Sequence, residues 1–97
     1  KTLMQRSRSV HDVILPKTGI YEDDVVLIEW IVAEGSWVAV GDPIFVIESE
    51  KVEMEIESND EGWIHLEVEP GFQASIGTRV AVVADTELAY RGLVGES

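Results

Sequence analysis

Two stretches decide the fold: VLIEWIVAEGSWVAVGDPIFVI at residues 26–47 and GWIHLEVEPGFQASIGTRVAVV at residues 62–83. Laid over each other at a shift of 36 residues, they align without a gap. Identities fall at Ile28/Ile64, Val32/Val68, Gly35/Gly71, Gly41/Gly77 and Val46/Val82. Apolar character persists at Trp30/Leu66, Val40/Ile76, Ile44/Val80 and Ile47/Val83. A half-domain of this size leaves one face uncovered, and two halves bury it by packing on each other. Glycines at matched positions predict the same turn used twice. The pattern predicts two similar halves about a pseudo-twofold axis.

Working outward, the apolar runs are short and stop at glycine or proline. Val13, Ile14 and Leu15 end at Pro16, with Gly19 beyond; residues 25–32 are rich in β-branched side chains; a glycine turn at 39–42 and Pro43 precede Ile44 to Ile47. Residues 52–57 alternate strictly, with Val52, Met54 and Ile56 on one face and Glu53, Glu55 and Glu57 on the other. That is the period of a half-buried strand; helical spacing would scatter the acids around an axis. With strands at 64–68 and 79–83, many short strands and no helical stretch predict an all-β sandwich or barrel. Ile28, Trp30, Val32, Val46, Val52, Met54, Ile64, Leu66, Val68 and Val82 are the expected principal core. Residues 1–11, with Lys1, Arg6 and Arg8, read as a flexible arm, 12–85 as the domain, and 86–97 as a linker or tail.

Composition narrows the function. Ninety-seven residues suit one small domain with a modest core, leaving little room for an enclosed active site. No apolar run approaches the ~20 residues of a membrane span, and no signal-peptide core appears. Cysteine is absent, which excludes disulfides and thiolate chemistry. The formal charge of −12, from 19 acids and 7 bases, repels nucleic acid and anionic membrane and favours partners with basic surfaces. The same charge also serves solubility alone.

Between the repeats lies Glu48-Ser49-Glu50-Lys51-Val52, placed where a tight hairpin must turn. Lys51 is the only lysine after Lys17, and it stands among Glu48, Glu50, Glu53, Glu55 and Glu57 with no other base. Taken alone, a lone lysine there also reads as local charge neutralisation on a solvated turn.

The succession Pro16-Lys17-Thr18-Gly19, Glu29 to Gly35, Val38 to Phe45 and Glu48 to Val52 resembles the biotinyl/lipoyl attachment family. Within it, the chain is most similar to lipoyl domains of 2-oxoacid dehydrogenase acyltransferase components. The likeness runs from about Val13 to Ala84, and includes Glu55 to Ser58, Gly62, Val68, Gly71 and Gly77. It implies a flattened barrel-sandwich of two four-stranded antiparallel sheets, with Lys51 as the lipoylated residue and Glu48, Glu50 and Val52 as its recognition context. It implies lipoic acid as a covalent cofactor in amide linkage to Lys51. Its implied partners are a lipoate ligase or lipoyl/octanoyl transferase, a thiamine-dependent 2-oxoacid decarboxylase, an acyltransferase core and dihydrolipoyl dehydrogenase. The location implied is the bacterial cytoplasm or the mitochondrial matrix. The chain departs from the family pattern at Glu50, where Asp is usual, at Val25 and Ser36, and at Asn59-Asp60-Glu61. Biotin carriers place Met on both sides of the lysine, whereas here the neighbours are Glu50 and Val52, which favours lipoate.

Two other classes compete: a biotinyl carrier of a carboxylase, and an unmodified barrel-sandwich adapter. A free-standing enzyme lacks any set of acid, base and nucleophile. His11 and His65 lack metal-ligand spacing, and His65, between Ile64 and Leu66, reads as an outward strand residue. The acids at 53, 55 and 57 lack the loop pattern of a calcium site. Trp30 reads as core and Trp37 as the exposed tryptophan.

Overall fold

The computed structural model describes residues 9–18 and 24–95. In chain order it forms β1 (Val10–Ile14), β2 (Val25–Trp30), β3 (Trp37–Val38), β4 (Pro43–Glu48), β5 (Glu53–Glu57), β6 (Gly62–Leu66), β7 (Phe72–Ala74), β8 (Arg79–Ala84) and α1 (Glu87–Leu93). The strands make two four-stranded antiparallel sheets, ordered β1-β8-β6-β3 and β5-β4-β2-β7. Each order is the other with every strand replaced by its repeat mate. The expected barrel-sandwich with internal twofold symmetry is therefore the fold observed.

The repeat extends to single hydrogen bonds. Gly41 N–H donates to Ser58 O (2.8 Å) and Ser58 N–H to Asp42 O (2.8 Å); Gly77 N–H donates to Leu15 O and Leu15 N–H to Thr78 O, both 2.9 Å. Gly35 N–H donates to Ile64 O (2.8 Å), and its mate Gly71 N–H donates to Leu27 O (2.7 Å). Both tight turns put a glycine at positive φ, 93° at Gly41 and 92° at Gly77, where a Cβ would be strained. The identical spacing of these glycines encodes identical turns.

One half carries a residue that breaks the gapless alignment. The β2–β4 ladder pairs Leu27 with Ile47 and then Glu29 with Val46, stepping over Ile28, whereas β6 pairs with β8 without a step. A bulge of this kind shifts every side chain before it to the opposite face. The structural mate of fully buried Ile64 is thus Leu27, not Ile28. Ile28, expected in the core, is half-buried, and Val25 and Leu27 take the interior instead. Two further steps, at Ile44 in β4 and Val80 in β8, are mates and keep the symmetry.

The core between the sheets contains Leu15, Val25, Leu27, Val38, Ile44, Phe45, Ile47, Ile56, Ile64, Ala74, Val80, Ala81 and Val83. Trp30, Val32, Met54, Leu66 and Val68 pack against it as expected. Trp30 meets Phe45 edge-on at 5.3 Å between ring centroids, and its Nε1 donates to Val68 O at 2.9 Å. Val46 and Val82 are buried but outside this cluster, because alternation sends Phe45 and Ile47 inward and Val46 the other way. Val52 is only half-buried, since it belongs to the turn rather than to β5.

Of the basic arm expected at 1–11, residues 1–8 lie outside the described residues, and β1 begins at Val10. The stretch 86–97, expected as a linker or tail, begins with α1, which packs against β6 and β8. Thr86 caps it, its hydroxyl accepting from Ala89 N–H at 3.0 Å, with Glu87 in the first turn and Arg91 in the last. Seven residues are too few to show an amphipathic period or to hold a helix alone. A tertiary contact supplies the support: Tyr90 OH donates to Glu34 Oε2 at 2.7 Å. His65 Nδ1 meets the same carboxylate at 2.9 Å and Leu66 N–H at 2.7 Å, tying β6, the 33–36 turn and α1 together. Burial would raise the Glu34 carboxyl, but the hydrogen bonds from His65, Tyr90 and Leu66 outweigh it and hold it below its ordinary value of 4.5.

Candidate functional site

The sequence-predicted site residues come together at the β4–β5 hairpin. Glu48 and Glu53 are its last paired residues, so Ser49, Glu50, Lys51 and Val52 form the loop. Ser49 N–H donates to Val52 O at 2.8 Å and closes the turn. Ser49 Oγ then accepts from Lys51 N–H at 3.3 Å and from Val52 N–H at 3.2 Å. A serine at the first loop position often bonds the backbone just ahead of it in this way. Lys51 and Glu50 sit at the tip, both exposed, while Val52 turns partly inward.

The interior side anchors this tip. Ile44, Phe45 and Ile47 are buried along β4, and Ile56 and half-buried Met54 bring β5 onto the same core. The opposite side is acidic, with Glu48, Glu53, Glu55 and Glu57 all exposed. Glu29 joins them across Val46. Among the described residues the Lys51 ammonium forms no ion pair with any of these acids. The neutralising role left open above therefore has no contact to support it. The ion pairs that do form lie elsewhere, such as Arg79 Nε with Glu67 Oε1 at 2.7 Å, which together with Asp12 holds Arg79 above its usual value.

Tip position, an outward primary amine and an anchored stem suit covalent modification by an enzyme that must approach from solvent. Glu48, Glu50 and Val52 lie in the same hairpin as Lys51, and the residue that shapes the turn is Ser49, which was assigned no role from the sequence. Its signal was present: a hydroxyl residue opening a four-residue loop between two strands.

The chain matches, over residues 11–83, the family described as biotin-requiring enzyme, the biotin/lipoyl attachment family. It belongs to that family. A biotinyl/lipoyl attachment domain is non-catalytic by itself and carries covalently attached lipoate or biotin. The domain is 27% identical over 79 residues to dihydrolipoyllysine-residue acetyltransferase component 5 of the chloroplastic pyruvate dehydrogenase complex of Arabidopsis thaliana. It is 26% identical over 88 residues to component 4 of the same complex. These alignments cover 80% and 90% of this chain but only 17% and 18% of the relatives. Among solved structures, a single-chain, multi-domain long-chain acyl-CoA carboxylase matches with a TM-score of 0.64 at 17% identity, over 90% of this chain and 8% of that one. At that identity the likeness is one of fold.

Proposed function

We propose that this attachment domain carries lipoate in amide linkage to Lys51 and acts as the swinging-arm carrier of a 2-oxoacid dehydrogenase complex. The observation that carries the reading is the placement of Lys51: exposed, at the tip of a closed hairpin, its ammonium in no ion pair among the described residues. The relatives, both dihydrolipoyllysine acetyltransferase components, support lipoate over biotin. So do Glu50 and Val52 beside the lysine, where biotin carriers have Met.

A free lysine is an ammonium at neutral pH and a poor nucleophile, so the ligase or transferase must supply the activated acyl donor and accept the proton. Amidation removes that charge and leaves the four-carbon stem of Lys51 as a hinge on a fixed turn. When bound, the lipoyl group supplies the dithiolane that takes up acyl groups and electrons. The domain supplies position, raising the effective concentration of the arm at each partner's active site. Its acidic sheet face steers basic surfaces toward it. The partners in this reading are a thiamine-dependent decarboxylase, an acyltransferase core and dihydrolipoyl dehydrogenase.

The test incubates the domain in parallel with lipoate ligase, ATP and lipoic acid, and with biotin ligase, ATP and biotin. Intact mass and peptide mapping then locate any label. One lipoyl group on Lys51 and no biotin is the expected result. Biotin on Lys51 would make this a carboxylase carrier, and no label from either enzyme on a folded domain would leave the adapter reading.

A further inference from the structure

We infer that Ser49 is the positioning residue of the attachment site, an inference that rests on Lys51 being the modified lysine. The pseudo-twofold axis supplies the control within the molecule. It carries the Ser49–Val52 closure onto Asp85 and Ser9, where Asp85 N–H donates to Ser9 O at 2.7 Å. That bond matches the 2.8 Å bond from Ser49 N–H to Val52 O, yet no turn joins Asp85 to Ser9. Closure at this place is therefore a property of the fold. What the lysine end adds is the Ser49 hydroxyl, which accepts from the N–H groups of Lys51 and of Val52.

These two bonds fix the backbone on both sides of the Lys51 Cα. They do so at a place that resists order, because Glu48 and Glu53 face each other on the rung below. Without the hydroxyl, both N–H groups turn to water and the Glu50-Lys51 segment samples other turn geometries. The amine then spends less time where a ligase reaches it. A misplacement of about 1 Å costs up to ~100-fold in well-oriented reactions, so the effect falls on modification rather than on folding.

The experiment compares the parent domain with Ser49→Ala and Ser49→Thr. It reads kcat and KM for modification by the ligase that labels the parent, amide hydrogen exchange at Lys51 and Val52, and thermal unfolding. Ser49→Ala should lower kcat/KM about tenfold, chiefly through KM, and speed exchange at those two amides, with exchange at Ile47 and Met54 unchanged. Ser49→Thr keeps the hydroxyl and should restore both readouts. Should Ser49→Ala unfold, Ser49→Gly removes the hydroxyl while tolerating any turn geometry. Equal modification of parent and Ser49→Ala, or a Thr variant as slow as Ala, overturns the inference alone. A folded parent that takes neither lipoate nor biotin overturns it together with the attachment reading.

Discussion

Across the first sheet runs the row Trp37, Trp63, Ala84, Val10; across the second, at equivalent positions, runs Gln73, Val26, Glu48, Glu53. The two rows agree at no position. One is apolar, with Ala84 fully buried and α1 packed on β6 and β8 beside it. The other is polar at three of its four positions, ends in two exposed carboxylates facing each other, and leads directly into the Lys51 turn. The next rows are alike instead: His65-Val82-Asp12 and Glu29-Val46-Glu55 each set a buried valine between two polar residues. Inward-facing positions and turn hydrogen bonds are duplicated because both halves share one core. Outward-facing residues are not bound by that constraint, so one half has become the surface on which α1 packs, and the other the surface that leads into the Lys51 turn.

The largest test of the comparison lies in the core itself, where the halves are also unequal. Phe45 and Ala81 are mates, and only Phe45 has an aromatic partner in Trp30. Phe45→Ala should cost about 3–5 kcal/mol in chemical denaturation, whereas Ala81→Phe, an overpacking change, should cost about 1–3 kcal/mol. Equal costs would mean that the halves divide the interior evenly. Next comes Gly62, the mate of Val25 across the Ile28 bulge. Gly62 has φ 147° and a Cβ there would overlap the Ala84 carbonyl, so Gly62→Ala should lose about 1–3 kcal/mol by the same measurement. An unchanged denaturation midpoint would show that β6 does not approach β8 as closely as described.

A smaller effect separates the ends by pH. The Glu34 mate is Pro70, so the carboxylate that ties α1 down exists in one half only. Its folded value lies below 4.5, so its contribution is present above that pH and is lost as pH falls through the folded value. Amide exchange should show α1 loosening below about pH 4.5 while β4 and β5 remain protected. Glu34→Gln should already loosen α1 at neutral pH and remove this dependence; α1 exchange in Glu34→Gln that still tracks pH as in the parent would exclude the carboxylate as the cause. The smallest effect is at the lysine end. Glu53→Gln relieves the like charge opposite Glu48 and should raise stability by a few tenths of a kcal/mol, up to about 1, visible as a higher unfolding midpoint. A lower midpoint would mean the acidic pair is not repulsive.

The fold was legible because its signals are local and doubled: glycines 36 residues apart, alternation over 52–57, and apolar runs cut by proline. The hairpin site was legible for the same reason, since Glu50-Lys51 had nowhere to lie but in a turn. What escaped depends on tertiary structure. The bulge at Ile28 shifts side-chain parity without changing hydrophobic composition, so Leu27 and Ile28 look alike in sequence. Helix α1 is too short to carry a period and is held by Tyr90 and Glu34, which are 56 residues apart. Strands β3 and β7, of two and three residues, are defined by their partners rather than by a pattern.

The central claim is that hairpin geometry selects Lys51, and relocating the amine tests it most directly. Glu50→Lys combined with Lys51→Glu keeps composition and net charge while moving the lysine by one residue of the turn. Near a strand end that step redirects the side chain to another face. Lys51→Arg keeps the charge without the primary amine. Both sites are exposed, so both variants should fold like the parent, within about 0.5 kcal/mol. After incubation with lipoate ligase, ATP and lipoic acid, intact mass should show one lipoyl group on the parent and none on either variant. Efficient lipoylation of the relocated lysine, or of Lys1 or Lys17 in the Lys51→Arg variant, would contradict the account.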